Sequence, residues 1–252
     1  MGRFMPILRK CSALVNRDDG SGVIVQRIVG NDPEVLTPLN WIFNNLSQEA
    51  NVSQTPKLLD AIEFYGWEIV REIVLVVMLH QYHREVEKTC KINCEILDER
   101  ALEVLTASVE LGASGVAGIF ANVGAGAIAV HDRLHNAALP PNYLYNPSDH
   151  LALERSIFGF DHATLGSYML SEVDFPSLVC DEVFEHTTIG HPIWVAEQLS
   201  LIISQSGSGQ EQGAEHPIWQ TLGLSPARLS RLQRNIKDAA NLPTMAFSAD
   251  AA

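Results

Sequence analysis

The chain has 252 residues, 46% hydrophobic and 19% charged, a composition that makes a folded globular protein of one large or two small domains. Seventeen basic against thirty acidic residues give a formal charge of −13, which repels phosphate backbones and anionic headgroups, so neither nucleic acid nor a membrane is an expected partner. Four scattered cysteines, Cys11, Cys90, Cys94 and Cys180, do not make a disulfide framework, and a reduced, cytoplasmic setting is expected.

The opening residues Met1 to Pro6 hold no apolar run of signal-peptide length. Asp32-Pro33-Glu34 sets an N-cap residue before a proline at the first helical position, and so predicts a helix start. Pro38, about one turn further on, is expected to bend or shorten that helix. Ile62, Ile69, Ile73 and Val77 recur at spacings of seven, four and four, with Gly66 at the junction between one helix and a long apolar one. Cys90 and Cys94 stand four apart and His80 and His83 three apart. Zinc normally needs four converging ligands, and two buried or half-buried thiols are the expectation instead.

Leu111 to Val130 is twenty residues without a formal charge, long enough to span a bilayer. Eleven of them are Gly or Ala, and Ser114 and Asn122 interrupt the run, which predicts a buried helix packed closely through small residues. Its glycines lack the Gly-Lys-Ser/Thr ending of a phosphate loop. Breaks are predicted near residues 17–22, 47–56, 137–148 and 204–215, the last rich in Gly, Ser and Gln. Ser225-Pro226 repeats the helix-start device before Leu229, Leu232 and Ile236, and Arg228, Arg231, Arg234 and Lys237 fall at helical spacing as a solvated face. Strand alternation and hairpin turns are absent. The prediction is an all-α unit of about a dozen helices, a single domain over residues 1–252 with lobes at 1–88 and 89–252.

Three segments, in order, carry a family resemblance. The first runs from Ile24 through Asp32-Pro33-Glu34-Val35 to Asn44 and Asn45. The second is Leu58-Leu-Asp-Ala61-Ile62 to Gly66, with the apolar run Ile69 to Leu79. The third is Phe158-Gly-Phe-Asp161-His162-Ala163-Thr-Leu-Gly166, then Phe175-Pro176 and Glu185-His186. Together, from about Met5 to Leu242, they resemble the HDOD domain, the HD-related output domain of bacterial signalling proteins. The resemblance implies the HD-superfamily helical fold.

Catalytic members of that superfamily hold metal through a helix-borne histidine, a His-Asp doublet and a later aspartate, so that a bound water becomes the nucleophile. Here the doublet place reads Ala121-Asn122, the region from Cys94 to Leu105 holds no histidine, and Glu197 stands at the later-aspartate place. His131-Asp132 lies outside the frame and reads as a helix-end pair. The second histidine of the family's paired motif is Thr187, and Val173 replaces an aromatic residue.

The resemblance thus implies a non-catalytic signalling or regulatory protein working through contacts with a protein partner, with no cofactor, no catalytic residue and no metal site. A vestigial pocket of Asn122, Asp161, His162, His186 and Glu197 is left open to a small ligand. Asn122 is expected to satisfy a buried backbone or imidazole group such as His162 or His186, Asp161 to orient His162 or cap its helix, and His162 to donate to a buried carbonyl. No receiver or cyclic-dinucleotide segment is seen within these residues, so the input is expected from another chain or a ligand. The alternative is a metal-dependent phosphohydrolase using His162, His186 and Glu197.

Overall fold

The computed structural model describes residues 4–18, 20–30, 32–49, 58–135, 138–205, 230–232 and 234–235. Among them there are twelve α-helices, two short 3-10 turns and no strand, as the sequence predicts. In chain order the helices are α1 (Met5–Val15), α2 (Gly22–Val29), α3 (Pro33–Glu49), α4 (Leu58–Tyr65), α5 (Trp67–Cys90), α6 (Cys94–Leu111), α7 (Gly115–Phe120), α8 (Val123–His135), α9 (Leu151–Phe158), α10 (His162–Ser171), α11 (Ser177–Glu185) and α12 (Pro192–Gln205).

The long α5 is the centre of the packing, touching α1, α3 and α4 as well as α6, α7 and α8. Its buried face is Val70, Val74, Val77, Met78, Tyr82 and Val86, spaced at helical period and fully or almost fully shielded. Ile69, expected on that face, is 52% exposed. Gly66, at φ +84, separates α4 from α5 as the sequence predicts, and Ile69 falls in the first turn of α5, off the buried face that Val70 and Val74 define. Around α5, α6 packs on α12, α10 on α11, and α8 on α10.

Asp32 caps α3 as expected, its Oδ1 accepting from the Glu34 amide at 3.0 Å while Oδ2 accepts from Gln81 Nε2 of α5 at 2.9 Å. Pro38 does not end the helix, which continues to Glu49. The ring is buried, and packing of α3 on α5 holds the helix together through the loss of one backbone bond.

Leu111 to Val130 is not one helix. Gly112 closes α6 in the left-handed conformation at φ +89, Ser114 caps α7, and a turn at Ala121-Asn122 separates α7 from α8. The segment is nonetheless core, since 78% of the apolar window within Gly115–His135 is buried. Cys11 and Cys180 are buried and Cys90 half-buried, all as free thiols. Ser225-Pro226, Arg228 and Lys237 lie outside the described residues, while Arg231 pairs with Glu110 at 2.8 Å.

Candidate functional site

Small residues on α8 bring the site together. A Cβ on Gly124 would lie 2.0 Å from the backbone oxygen of His162, and one on Gly126 2.7 Å from the Tyr82 hydroxyl. Only glycine lets α8 lie this close to the first turn of α10 and to α5. The break between α7 and α8 therefore puts Asn122 beside the start of α10, where α11 and α12 also end up through the packing of α10 on α11 and of α6 on α12.

Asn122 is half-buried at that break. Its Nδ2 donates to Glu197 Oε1 at 2.7 Å, and Ser148 Oγ donates to Glu197 Oε2 at 3.0 Å. The partner of Asn122 is thus a carboxylate, not the backbone or imidazole group expected, because α12 brings Glu197 nearer to its amide than either ring. Both oxygens of a wholly buried carboxylate are committed to protein donors.

His162 and His186 face each other with ring centroids 5.2 Å apart, and both are wholly buried. His162 Nδ1 lies 2.9 Å from both oxygens of Glu154, which also accepts from the His162 amide at 2.6 Å and the Tyr143 hydroxyl at 2.7 Å. The partner is again a carboxylate where a carbonyl was expected. His186 Nδ1 donates to the Val183 carbonyl at 2.5 Å. Both Nδ1 atoms face acceptors, and neither Nε2 of the two buried rings has a hydrogen-bond partner. His186 Nε2 is 4.0 Å from Glu197 Oε1.

Asp161 takes the second of its two expected roles and caps α10, with Oδ1 accepting from the Thr164 amide at 2.8 Å and Oδ2 held by Arg155. The structure therefore gathers Asn122, His162, His186 and Glu197 and leaves Asp161 committed to the helix end. His131 and Asp132 sit in the last turns of α8, where Asp132 accepts from the Leu139 amide at 3.2 Å.

Glu154, Tyr143, Ser148 and Arg100 went unrecognised in the sequence. Arg100, on α6, is buried; its Nη1 donates to the Tyr145 carbonyl, and its Nε and Nη2 have no hydrogen-bond partner. A cavity of about 30 Å³ lies between Arg100 and Asn122, and Arg100 also borders an open cleft of about 390 Å³ beside Glu99, Glu103 and Asp149.

Electrostatics follow from this burial. Burial pushes the His186 imidazole below its ordinary value of 6.5, against the pull of Glu197. Burial pushes the Glu197 carboxyl up, but His186, then Arg100 and His162, and the Asn122 hydrogen bond outweigh it and hold the group below 4.5. Since burial keeps His186 neutral at pH 7, Arg100 is the standing positive charge opposite Glu197. A second buried cluster joins α5 to α6: Asp98 lies 2.5 Å from His80 Nδ1 and 2.6 Å from His83 Nδ1. Burial pushes the Asp98 carboxyl up, but the hydrogen bonds of His80 and His83 hold it below 3.8.

The metal that the HD superfamily implies does not fit this donor set. Ala121 contributes no ligand atom, each oxygen of Glu197 already accepts a hydrogen bond, from Asn122 and from Ser148, and Arg100 puts a fixed cation nearby. Among the described residues no group of three His, Cys, Asp or Glu side chains is placed to hold a metal ion.

The model of the HDOD domain family matches residues 3–189. The chain belongs to the HDOD family. Glu197 lies beyond the matched stretch. This HDOD domain is also similar to a crystal structure from Shewanella amazonensis SB2B that carries the provisional name phosphohydrolase, with a TM-score of 0.68 and 15% identity over 95% of this chain and 92% of that one. That likeness shows a shared fold. A second structure, the MmoQ response regulator of Methylococcus capsulatus str. Bath, aligns over 90% of this chain and 95% of its own at 18% identity, with a TM-score of 0.42, too low to carry an argument. No curated protein matches the sequence.

Proposed function

We propose that this HDOD domain is a non-catalytic regulatory module of a bacterial signalling pathway that works through protein contacts, over one unit with an N-terminal helical lobe and an HD-like lobe. The observation that carries this reading is the state of Glu197. In a hydrolytic site this carboxylate would offer its lone pairs to a metal, whereas here each oxygen already accepts from a protein donor, Asn122 or Ser148. The neighbouring cavity has room for about one water, so a surface contact, and not a ligand filling that pocket, is the output in this reading.

The second reading is a metal-dependent phosphohydrolase built on His162, His186 and Glu197. One observation favours it. The Nδ1 atoms of both histidines are anchored, by Glu154 and by the Val183 carbonyl, and both Nε2 atoms are unpartnered, which is how metal-binding imidazoles are oriented. Against it, Glu197 would have to share with a metal oxygens that already accept from Asn122 and Ser148, in the field of the Arg100 cation.

Elemental analysis of protein purified without chelator, with phosphoester assays in Mg²⁺, Mn²⁺, Fe²⁺ and Zn²⁺, separates the two. The regulatory reading expects substoichiometric metal and no turnover above background. Stoichiometric metal with hydrolysis that disappears in His162→Ala would replace it with the second.

A further inference from the structure

The cavity between α5, α6 and α7–α8 is small, about 30 Å³, and walled by apolar side chains including Leu79, Leu97 and Ile119. Four polar residues border it: Tyr82, whose hydroxyl donates to the Val123 carbonyl, His83, whose Nδ1 is held by Asp98, Asn122, whose Oδ1 is buried with no partner, and Arg100, whose buried Nε and Nη2 have none. Because Asn122 Nδ2 donates to Glu197, the identity of its other atom as an oxygen is fixed. The unpartnered atoms beside the cavity are thus one acceptor, Asn122 Oδ1, and two donors of a single guanidinium, Arg100 Nε and Nη2, with room for a single small molecule and enough polar partners to hold it.

The chemistry of those three atoms selects the occupant. An anion would suit the guanidinium but would face the Asn122 oxygen, with the Glu197 carboxylate one hydrogen bond behind it. A cation would suit Asn122 but meet Arg100. Only a molecule that accepts and donates satisfies both sides.

We propose that one buried water occupies this cavity, accepting from Arg100 and donating to Asn122 Oδ1, so that a guanidinium–water–amide chain reaches Glu197 in place of a metal and its bound water. Arg100 is then a positioning residue, coupled to Glu197 without touching it. The inference concerns the interior alone and stands or falls independently of which surface the domain uses.

A crystal structure of the full chain tests it directly. The expected result is a single water peak within hydrogen-bond distance of Asn122 Oδ1 and of Arg100 Nε or Nη2. A dry cavity, a metal ion, or a guanidinium turned directly onto Glu197 would overturn the proposal. In solution, a double-mutant cycle of Arg100→Met and Asn122→Ala is expected to show coupling of about tenfold in the unfolding equilibrium constant, although the two side chains share no direct bond; additivity would count against it. Should Arg100→Met fail to fold, Arg100→Lys replaces it in the cycle. Oxygen-17 relaxation dispersion is then expected to find the long-lived water in the native protein and to lose it in Asn122→Leu, and an unchanged count in that variant would sink the idea.

Discussion

Asn122 donates to Glu197 across 2.7 Å, from the break between α7 and α8 to a helix 75 residues further on. An amide here does what an aspartate could not, since it offers a proton to a buried carboxylate. Asn122→Ala is expected to lower stability by about 1–3 kcal/mol by removing a donor from a buried anion. Asn122→Asp is expected to cost at least as much at pH 7, because two carboxylates then share one buried site, and to recover part of the loss as the pH falls and one of them protonates. Urea unfolding of the native protein and both variants at pH 7 and pH 5 is the measurement. An Asp variant as stable as the native protein at pH 7 would mean that a cation is already available at that position.

His186, and then Glu197 and Asp98, are expected to withdraw stability in two stages on acidification. His186 is held neutral by burial, below its ordinary 6.5, so below about that pH the unfolded chain takes up a proton that the folded one refuses, and folding weakens. Glu197 and Asp98 are held below 4.5 and 3.8. Their contribution is present above those ordinary values and is lost as the pH falls through the lower folded ones. Each group contributes a slope of at most about 1.4 kcal/mol per pH unit. Glu72 and Glu103, held above 4.5 by burial, act in the opposite sense, so the His186 stage is read from denaturant midpoints between pH 8 and pH 3 as a difference: the native protein should lose stability relative to His186→Gln as the pH falls below about 6.5. A native protein that gained stability over His186→Gln between pH 6.5 and pH 5 would contradict the buried neutral imidazole.

How far the sequence carries to this site depends on the range of the interaction. Asp161 was legible as a cap because its partner, Thr164, is three residues away. The all-helical class was legible for the same reason, since caps and periods are local signals. Ser148 holding Glu197 and Glu154 holding His162 were not. The first pairs a 3-10 turn with a helix 49 residues later, and the second is a helix-to-helix contact that no periodicity announces. No local signal marks Arg100 either, since its bond partner Tyr145 is 45 residues away, although its guanidinium supplies the positive charge that a metal would. The single helix expected from Leu111 to Val130 failed on punctuation that was in plain view, namely Gly112 followed by Ser114, a C-cap and an N-cap two residues apart.

Gly124 holds α8 against α10, and a methyl group there would meet the His162 carbonyl oxygen at 2.0 Å. The obstacle is backbone, so neither helix can yield by a side-chain rotation. Gly124→Ala is expected to destabilise the domain by about 2 kcal/mol or more, and to disturb the His162–His186 pair, which histidine side-chain NMR signals would report. Gly30 makes the contrast, since a Cβ there meets nothing and its cost comes only from φ +74. If Gly124→Ala were the milder of the two, the close approach of α8 to α10 would have to be looser than the structure has it.

Rebuilding the doublet as Ala121→His with Asn122→Asp is expected not to give an enzyme. Ala121 is wholly buried, so an imidazole there overpacks the core at a cost of about 1–3 kcal/mol. The new aspartate would sit beside Glu197, which has lost its amide donor, and the nearest fixed positive charge would be Arg100, which opposes a divalent ion by Coulomb repulsion in a low-dielectric interior. The double variant should therefore bind Mn²⁺ or Zn²⁺ weakly by calorimetry and leave phosphoesters untouched. Adding Arg100→Met removes the competing cation and should strengthen metal binding over the double variant even without hydrolysis. If the double variant alone bound metal tightly, Arg100 would not be the charge that stands in the metal's place, and the regulatory reading would give way to an enzyme silenced by two substitutions.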